Sequence, residues 1–239
     1  MKKLIEGARK LGIELHTRQV RQFELYYQEL TEWNKKLNLT AITDYQEVQL
    51  KHFLDSITVI LALTKEGMEN PDLSIIDIGT GAGFPGIPLK ILLGQPRLVL
   101  LDSRAKKATF LHHVTQRLEL SNVEIVIGRA EEIAHLPLYR QQFDLVVSRA
   151  IASLPVLVEL ALPFCRIGGE FVAQKKGEIR QEIIKANKAI DTLGGKLSQV
   201  RKIELEELSG ERYLVIIDKI CATPEKYPRR PGVPKRRPI

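Results

Sequence analysis

The sequence is poor in the residues that build disulfide frameworks and metal sites. Its 239 residues include two cysteines, Cys165 and Cys221, which are too few and too far apart for either kind of site. The five histidines show no spacing typical of metal ligands, and the adjacent His112 and His113 would point away from each other on a helix. We therefore predict a protein without a metal ion.

Long hydrophobic runs are also missing. No apolar stretch reaches the roughly 18 residues of a transmembrane helix, and no apolar signal-peptide core lies near the first residue. The sequence thus predicts a soluble, cytoplasmic protein without membrane association. Its 44% hydrophobic content suffices for the core of one domain with a small accessory region.

Acidic residues are absent from the C-terminal segment. From Lys226 onward the chain has six lysines or arginines and four prolines, whereas the rest of the chain is nearly neutral. This composition predicts an extended basic tail over residues 222–239. Such a tail either keeps the protein in solution or contacts the phosphates of a polyanion. The candidate phosphate contacts are Arg229, Arg230, Lys235, Arg236 and Arg237.

Two different patterns divide the remaining chain. Residues 1–70 have helical periodicity, with a capping box at Asp44 and Glu47 before the third helix and a polar segment, Trp33 to Thr40, between the second and third helices. Residues 71–221 alternate between strands and helices, which is typical of an α/β fold with helices on both faces of a parallel sheet. Strands are predicted at 73–78, 97–102, 123–127, 143–148, 169–174, 197–205 and 212–219, and helices near 86–93, 104–119, 129–134, 153–165 and 177–193.

This order of elements predicts a doubly wound, mostly parallel sheet of seven strands. The last two strands are expected to form an antiparallel hairpin at the sheet edge, because a short Ser-Gly segment joins them. Five βα units followed by a hairpin are the arrangement expected of the common S-adenosylmethionine-dependent methyltransferase fold.

The most informative segment is LSIIDIGTGAGFPG, residues 73–86. Its apolar run predicts a buried parallel strand, and glycines at 79, 81, 83 and 86 predict a tight turn where a cofactor can approach the main chain. Gly81, Gly83 and Gly86 match a dinucleotide fingerprint, but Gly79 already follows the strand directly. Asp77 would repel a pyrophosphate and suit the cationic sulfur and ammonium of S-adenosylmethionine. The methyl donor is therefore favoured over NAD; a local backbone cap by Asp77 is the alternative.

The ends of the second and third predicted strands suit the rest of a nucleoside. Asp102 ends the second strand, at a distance from the glycines typical of a carboxylate that binds ribose hydroxyls. Ala130 and Glu131 follow the third strand, where a backbone N–H and a carboxylate could bind the adenine edge; a helix start rich in acids explains them equally well.

The fourth predicted strand ends at Ser148 and Arg149, without two common catalytic devices. The segment has neither the Asn/Asp-Pro-Pro of amine methylation nor the nucleophilic cysteine of pyrimidine C5 methylation. A purine ring nitrogen such as guanine N7 needs neither, since its lone pair attacks without prior loss of a proton. After the fifth strand, Lys175 and Lys176 form a basic turn that either binds substrate phosphates or is simply solvated.

Motifs along nearly the whole chain resemble one family, the bacterial small-subunit ribosomal RNA guanine-N7 methyltransferases, once called glucose-inhibited division protein B. The motifs are WNKKLNLT, KHFLDS, DIGTGAGFPGIPL, LDSRAKKATFL, GRAEE, FDLVVSRAIASLP, QKKG and YPRRPGVPKRRPI. The sequence shows no clear departure from the family pattern, although Lys51 stands where arginine is expected before the histidine. The resemblance implies S-adenosylmethionine as cofactor and one guanine of 16S rRNA, in the small subunit or an assembly intermediate, as substrate, with no obligate protein partner evident.

The resemblance also implies roles for individual residues. Together with the loop analysis, it predicts cofactor contacts at Asp77, Gly79, Gly81, Gly83, Phe84, Asp102, Ser103, Arg104, Ala130, Glu131 and Arg149. It places Trp33, Asn34, His52, Asp55 and Ser56 on the substrate side, with packing or capping as the alternative for each. Arg149 is the strongest candidate for an orienting residue, through the donor carboxylate or through guanine O6.

Three other functions compete with this hypothesis. A methyltransferase for ribose 2′-OH or for a small molecule would use the same loop, but Arg149 stands where the acid of a 2′-OH enzyme is expected. A nucleic-acid-binding module with a vestigial loop would not bind the donor. A NAD dehydrogenase would need a second catalytic domain.

Overall fold

The computed structural model describes all residues, 1–239, and its N-terminal part is helical. Short helices interrupted by irregular turns cover residues 2–69. They are α1 (Lys2–Lys10), α2 (Thr17–Leu37), α3 (Tyr45–Val48), a π-helical segment (Gln49–Leu54), α4 (Asp55–Ile57), a 3₁₀ segment (Thr58–Ala62) and α5 (Lys65–Glu69).

A single seven-stranded sheet follows, in the order β3-β2-β1-β4-β5-β7-β6. Its strands are β1 (Ser74–Ile78), β2 (Arg97–Asp102), β3 (Val123–Ile127), β4 (Phe143–Arg149), β5 (Cys165–Lys176), β6 (Gly195–Lys202) and β7 (Arg212–Lys219). The first five are parallel, and β7 lies antiparallel between β5 and β6, with Lys176 opposite Arg212 in the β5–β7 register. The seven-stranded, doubly wound α/β fold predicted from the sequence is confirmed.

Helices connect the strands and cover both faces of the sheet. They are α6 (Gly86–Leu93), α7 (Ala105–Arg117), α8 (Ala130–Ile133), α9 (Leu154–Ala161), α10 (Arg180–Thr192) and, after the sheet, α11 (Val233–Arg236). No helix is both long and apolar enough to cross a membrane.

The sheet separates two hydrophobic cores, and strand alternation decides which residue enters which core. In β1, Ile76 and Ile78 pack into the core with α9 and α10, whereas Ile75 packs into the core with the N-terminal helices. Asp77 follows the alternation of Ile75 and so lies on the side of the N-terminal helices, where it is completely buried.

Two local predictions in the N-terminal part were wrong. Trp33 to Leu37 belong to α2 rather than to a polar connection, since the helix continues to a left-handed cap at Asn38. Asp44 caps α3, as expected, through the N–H groups of Gln46 and Glu47, but the third helix is broken by the π-helical segment. Its apolar spacing is that of a continuous helix, so sequence periodicity carries no sign of the break.

The prediction of an extended C-terminal tail was also wrong. Residues after 222 pack on the sheet domain, and they include α11 and the buried Pro234. A tertiary ion pair joins Arg229 to Glu159 of α9, with 2.6 Å between Nη2 and Oε2. The segment is therefore folded, although most of its charged side chains stay exposed. The division of the chain at residues 70 and 221 remains a prediction.

Candidate active site

The glycine-rich turn after β1 is tied to the neighbouring strand. The N–H groups of Gly79 and Thr80 both donate to the Leu101 carbonyl of β2, at 2.8 and 3.1 Å. Gly79 has φ of +70°, and a Cβ there would lie 2.6 Å from Cγ2 of Ile151. Only glycine fits this position, so the main chain at the end of β1 stays uncovered by any side chain of its own.

The buried side chain of Asp77 forms hydrogen bonds within this turn. Its Oδ2 accepts hydrogen bonds from Thr80 Oγ1 at 2.6 Å and from the Gly86 N–H at 2.8 Å, whereas its buried Oδ1 has no partner. Burial raises the pKa of Asp77 to about 6. These bonds favour the alternative that the sequence left open, a carboxylate that caps local backbone.

Helix α2 of the N-terminal part packs against the turn. Tyr26 of α2 donates from its hydroxyl to the Ala82 carbonyl at 2.5 Å, and its ring stacks on Phe84 at 5.3 Å between centroids. A Cβ on Gly83 would lie 2.7 Å from the Tyr26 hydroxyl, so Gly83 permits this close packing. Gly83 and Phe84 therefore contact the helical subdomain.

A cavity of about 470 Å³ opens at the carboxyl ends of β1, β2 and β3. This size lies within the range typical of small-molecule sites, and the position is where doubly wound folds bind ligands. Six predicted cofactor residues line it: Gly79, Asp102, Ser103, Arg104, Ala130 and Glu131. The other five predicted contacts, Asp77, Gly81, Gly83, Phe84 and Arg149, lie outside its lining.

The remaining lining residues were not predicted as cofactor contacts. They are Ile78, Leu101, Lys107, Gly128, Arg129, Ile151, Ala152, Val156, Leu160, Gly232, Pro234 and Lys235. Lys107 and Arg129 lie within five residues of predicted contacts. The last three come from the C-terminal segment, where the sequence predicted Lys235 as a phosphate contact and gave no signal for Gly232 and Pro234.

Asp102 is held in one orientation at the mouth of the cavity. Its Oδ1 accepts from the Arg104 N–H at 2.9 Å, and its Oδ2 accepts from the Gly81 N–H at 3.0 Å and from Lys107 Nζ at 3.3 Å. Gly81 thus orients the carboxylate without lining the cavity. A carboxylate held in this way can accept hydrogen bonds from two ligand hydroxyls without first losing side-chain freedom.

A second group of side chains centres on Asp55, on the side of the N-terminal helices. Its Oδ2 contacts Arg149 Nη1 at 3.1 Å and Lys176 Nζ at 3.7 Å, and its Oδ1 contacts Arg212 Nε at 3.2 Å. We call Asp55, Arg149, Lys176 and Arg212 the Asp55 cluster. One carboxylate faces three cations, so the cluster carries net positive charge next to the mouth of β4.

Arg149 connects this cluster with the glycine-rich turn. Its guanidinium lies over the Phe84 ring at 4.9 Å from the centroid, and its Nη2 is 3.4 Å from His52 Nδ1. His52 also stacks on Phe84, at 4.6 Å between ring centroids. The aromatic ring therefore fixes both polar side chains at the end of β4.

His52 is neutral at physiological pH. Burial, helped by the charge of Arg149, lowers the pKa of His52 to about 3. Because Arg149 can only donate, Nδ1 of His52 accepts, and Nε2–H donates to Thr40 Oγ1 at 2.8 Å. This imidazole therefore holds Thr40 and Arg149 in place.

The other predicted substrate residues of the N-terminal part have structural partners. Trp33 packs against His113 at 4.8 Å, Asn34 Oδ1 accepts from the Thr40 N–H at 2.8 Å, and Ser56 donates to the His52 carbonyl at 2.5 Å. Each has the packing or capping role that the sequence offered as the alternative.

The basic side chains predicted to contact phosphates differ in their ion pairing and in their exposure to solvent. Lys175 is paired with Glu182 at 2.7 Å, and Arg229 is paired with Glu159. Lys176 is half-exposed, and Arg230, Lys235, Arg236 and Arg237 are exposed. No group of three or more His, Cys, Asp or Glu side chains is placed to hold a metal ion.

Comparison with known proteins decides the family. The protein-family model described as rRNA small subunit methyltransferase G matches residues 19–212 of this chain. The chain belongs to this family. It is 49% identical over 239 residues, all of both chains, to Ribosomal RNA small subunit methyltransferase G of Dehalococcoides mccartyi. It is 48% identical over 228 residues to the Brevibacillus brevis protein of that name, covering 95% of this chain and 94% of the relative.

Solved structures confirm the fold. A SAM dependent methyltransferase from Aquifex aeolicus superposes with a TM-score of 0.54 at 16% identity, over 80% of this chain and 98% of that one. The seven-stranded fold is therefore shared with an S-adenosylmethionine-dependent methyltransferase. The resemblance stated from the sequence is confirmed, and its family consists of methyltransferases of small-subunit ribosomal RNA.

Proposed function

We propose that this chain binds S-adenosylmethionine in the cavity at β1–β3 and methylates N7 of one guanine in 16S rRNA. The observation that carries the proposal is the cavity itself, lined by the oriented Asp102 at the end of β2 and by Gly79 after β1. Family membership supplies the class of substrate, small-subunit rRNA.

The residues present fit this cofactor. Asp102 and Glu131 supply carboxylates at the ends of adjacent strands, spaced for a ribose and for the edge of a base. Ile151, Val156 and Leu160 supply an apolar surface suited to an aromatic ring, and Ala130 adds a backbone N–H. Gly79 lines the same cavity at the end of β1. The cofactor, when bound, supplies a methyl group on a cationic sulfur.

The chain needs no general base for this reaction. Guanine N7 carries an in-plane lone pair, so no proton has to leave before the methyl group is transferred. The groups near the mouth of β4 agree with this: Ser148 is buried and donates to the Ile78 carbonyl at 2.9 Å, and the pKa of His52, lowered to about 3 by burial, makes its imidazole a weak base. The work of the protein is then to align the base and to exclude water.

The Asp55 cluster is suited to orient the substrate. Its excess positive charge beside the end of β4 would attract an RNA phosphate or the electron-rich O6–N7 edge of guanine. Of its three cations, Lys176 is the most exposed, and burial lowers its pKa. Arg149 is the group of this cluster that lies closest to the glycine-rich turn, through its contact with Phe84.

The C-terminal segment carries a second set of exposed cations. Such side chains bind phosphates without reading sequence, and each lost contact should reduce the slope of log affinity against log salt by roughly 0.7 to 0.9. The proposed contacts are Arg230, Lys235, Arg236 and Arg237.

The proposal is tested with a methyl-labelled donor and small-subunit rRNA, both naked and within the subunit. We expect label on a single guanine, at N7, detected by the strand scission that 7-methylguanosine undergoes after reduction. Label on a ribose 2′-OH or an exocyclic amine would overturn the N7 assignment. Failure to bind the donor in isothermal titration would support the vestigial module instead.

A further inference from the structure

The C-terminal segment takes part in the cavity that the proposed function assigns to the cofactor. Gly232, Pro234 and Lys235 line this cavity together with the ends of β1–β3. Pro234 is buried, although the residues on both sides of α11 are largely exposed. The segment is thus part of the cavity wall and not a free arm.

A buried ion pair fixes this wall. Glu159 is completely buried in α9, an otherwise apolar helix with the sequence LPVLVELA. Its Oε1 accepts from the N–H and Nε of Arg229 at 2.9 and 2.8 Å, and its Oε2 accepts from Nη2 at 2.6 Å. These are the only hydrogen bonds that the Glu159 side chain makes. A buried carboxylate requires such partners, so α9 specifies where the segment docks.

Further contacts guide the segment to this point. Arg140 donates to the carbonyls of Thr223, Tyr227 and Pro224 at 2.9, 2.9 and 3.2 Å. His135 Nε2 lies 2.9 Å from the Pro228 carbonyl. In a solvated tail these main-chain carbonyls would form hydrogen bonds with water instead. The bonds hold residues 223–228 beside the end of α8.

The segment then meets a predicted cofactor residue. The Gly232 N–H donates to Glu131 Oε1 at 3.1 Å, and Gly232 has φ of +81°, which turns the chain into α11. Arg229 Nη2 also donates to the Arg237 carbonyl at 2.7 Å and so closes the loop around α11. One arginine therefore binds both α9 and the far end of the cavity wall.

We propose that residues 229–237 form a cofactor-binding wall, held by the Arg229–Glu159 pair and covering the nucleoside end of S-adenosylmethionine beside Ala130 and Glu131. This inference rests on the proposed function, since it concerns the same cavity. Arg229 acts here as a positioning residue. Arg230, Arg236 and Arg237 are exposed, do not line the cavity and remain available to phosphates.

Binding of S-adenosylmethionine to the full chain and to point variants tests this inference. Arg229→Gln leaves Glu159 buried without its cation, and we expect the donor Kd to rise about tenfold to a hundredfold, the size of a lost charged hydrogen bond. Glu159→Gln should weaken donor binding in the same direction. The matched control is Lys226→Gln, which removes one positive charge from the same exposed segment outside the cavity and should leave the Kd within twofold.

Limited proteolysis gives a second readout that does not depend on a variant. Trypsin should cleave after Lys235 and Arg236 in the free protein, and saturating S-adenosylmethionine should slow this cleavage at least severalfold, because the ligand stabilises the state that it binds.

The outcomes separate the two proposals. Donor binding by the full chain, unchanged in Arg229→Gln and without protection from trypsin, would overturn the wall and leave the proposed function standing. Unchanged donor binding with weakened rRNA binding would identify the segment as an RNA arm alone and also overturn it. Absence of donor binding by the full chain would overturn both. Circular dichroism of each variant confirms that the altered chain is folded.

Discussion

The cavity at β1–β3 and the Asp55 cluster lie at the same edge of the sheet but are assembled in different ways. The first is lined largely by residues at or shortly after the carboxyl ends of β1, β2 and β3, such as Gly79, Asp102 and Ala130. The second joins residues from positions 55, 149, 176 and 212 around one carboxylate. A cofactor shared by many enzymes can be held by a local motif, whereas an individual RNA substrate requires groups brought together by the whole fold.

The largest effect is expected from Asp55→Ala, which breaks the cluster. The variant leaves the largely buried Arg149 and Arg212 without their carboxylate, and removal of one partner from such a group costs about 3–5 kcal/mol. We expect the free energy of unfolding in urea to fall by this amount. Lys202→Ala, which removes an exposed ion pair with Glu211, is the control and should cost under about 1 kcal/mol. A similar small loss for both variants would contradict the assignment of the cluster.

The next largest effect concerns the cavity. Asp102→Asn removes the charge while it keeps the size of the side chain, and one or two hydrogen bonds to the ligand should be lost. We expect the Kd for S-adenosylmethionine to rise about tenfold to a hundredfold. Isothermal titration measures this directly. An unchanged Kd would show that the oriented carboxylate does not bind the donor.

Arg149→Lys distinguishes the two regions most sharply. Lysine keeps the charge but cannot lie flat on Phe84 and contact Asp55 and His52 together. Because Arg149 lies outside the cavity lining, we expect methyl transfer to rRNA to slow about tenfold while the donor Kd changes less than threefold. A large rise in the donor Kd would instead place Arg149 on the carboxylate of the donor, as the resemblance implied.

The smallest effect is expected from Asp77→Asn. An amide oxygen can keep the bonds from Thr80 and Gly86, and the variant should bind the donor within about threefold of the parent protein, far less affected than Asp102→Asn. Loss of donor binding comparable to that of Asp102→Asn would restore the direct role that the sequence suggested for the charge.

The difference in stability between the parent protein and Asp77→Asn should depend on pH. The folded-state pKa of Asp77 is raised to about 6, so the folded protein holds its proton more tightly than the unfolded chain. The stability of the parent protein relative to Asp77→Asn is therefore greatest below the unfolded pKa, near 4, and falls as the pH rises to about 6. Urea unfolding of both proteins at pH 4, 5, 6 and 7 measures this difference. A difference that grows with pH would contradict the raised pKa.

The strands and the cofactor cavity could be predicted because their signals are local. Buried parallel strands are short apolar runs, and β2, β3 and β7 begin and end at the predicted residues. The start of β5 was missed, since Gly168 with φ of +84° and the neighbouring Gly169 gave the sequence the character of a turn. Antiparallel pairing of β6 with β7 followed from the short connection between them.

The roles of Asp77, Arg149 and Arg229 could not be predicted, because they depend on partners distant in the chain. Strand alternation could have placed Asp77 on one face of the sheet, but not Tyr26 and Phe84 beside it. Arg229 belongs to a basic, Pro-rich segment whose composition is the same for a free tail and for a folded wall; only the buried Glu159, 70 residues earlier, decides between them. A lone glutamate in an apolar helix is the one signal that could have raised the question.

The register of the last strand pair has a consequence for how the molecule is assembled. Lys176 and Arg212 face each other across β5 and β7, and directly opposed like charges destabilise a ladder. Asp55, contributed by a helix at the other end of the chain, offsets this repulsion. We therefore expect a chain without the N-terminal helices to pair β7 with β5 less stably, even though every strand is still present.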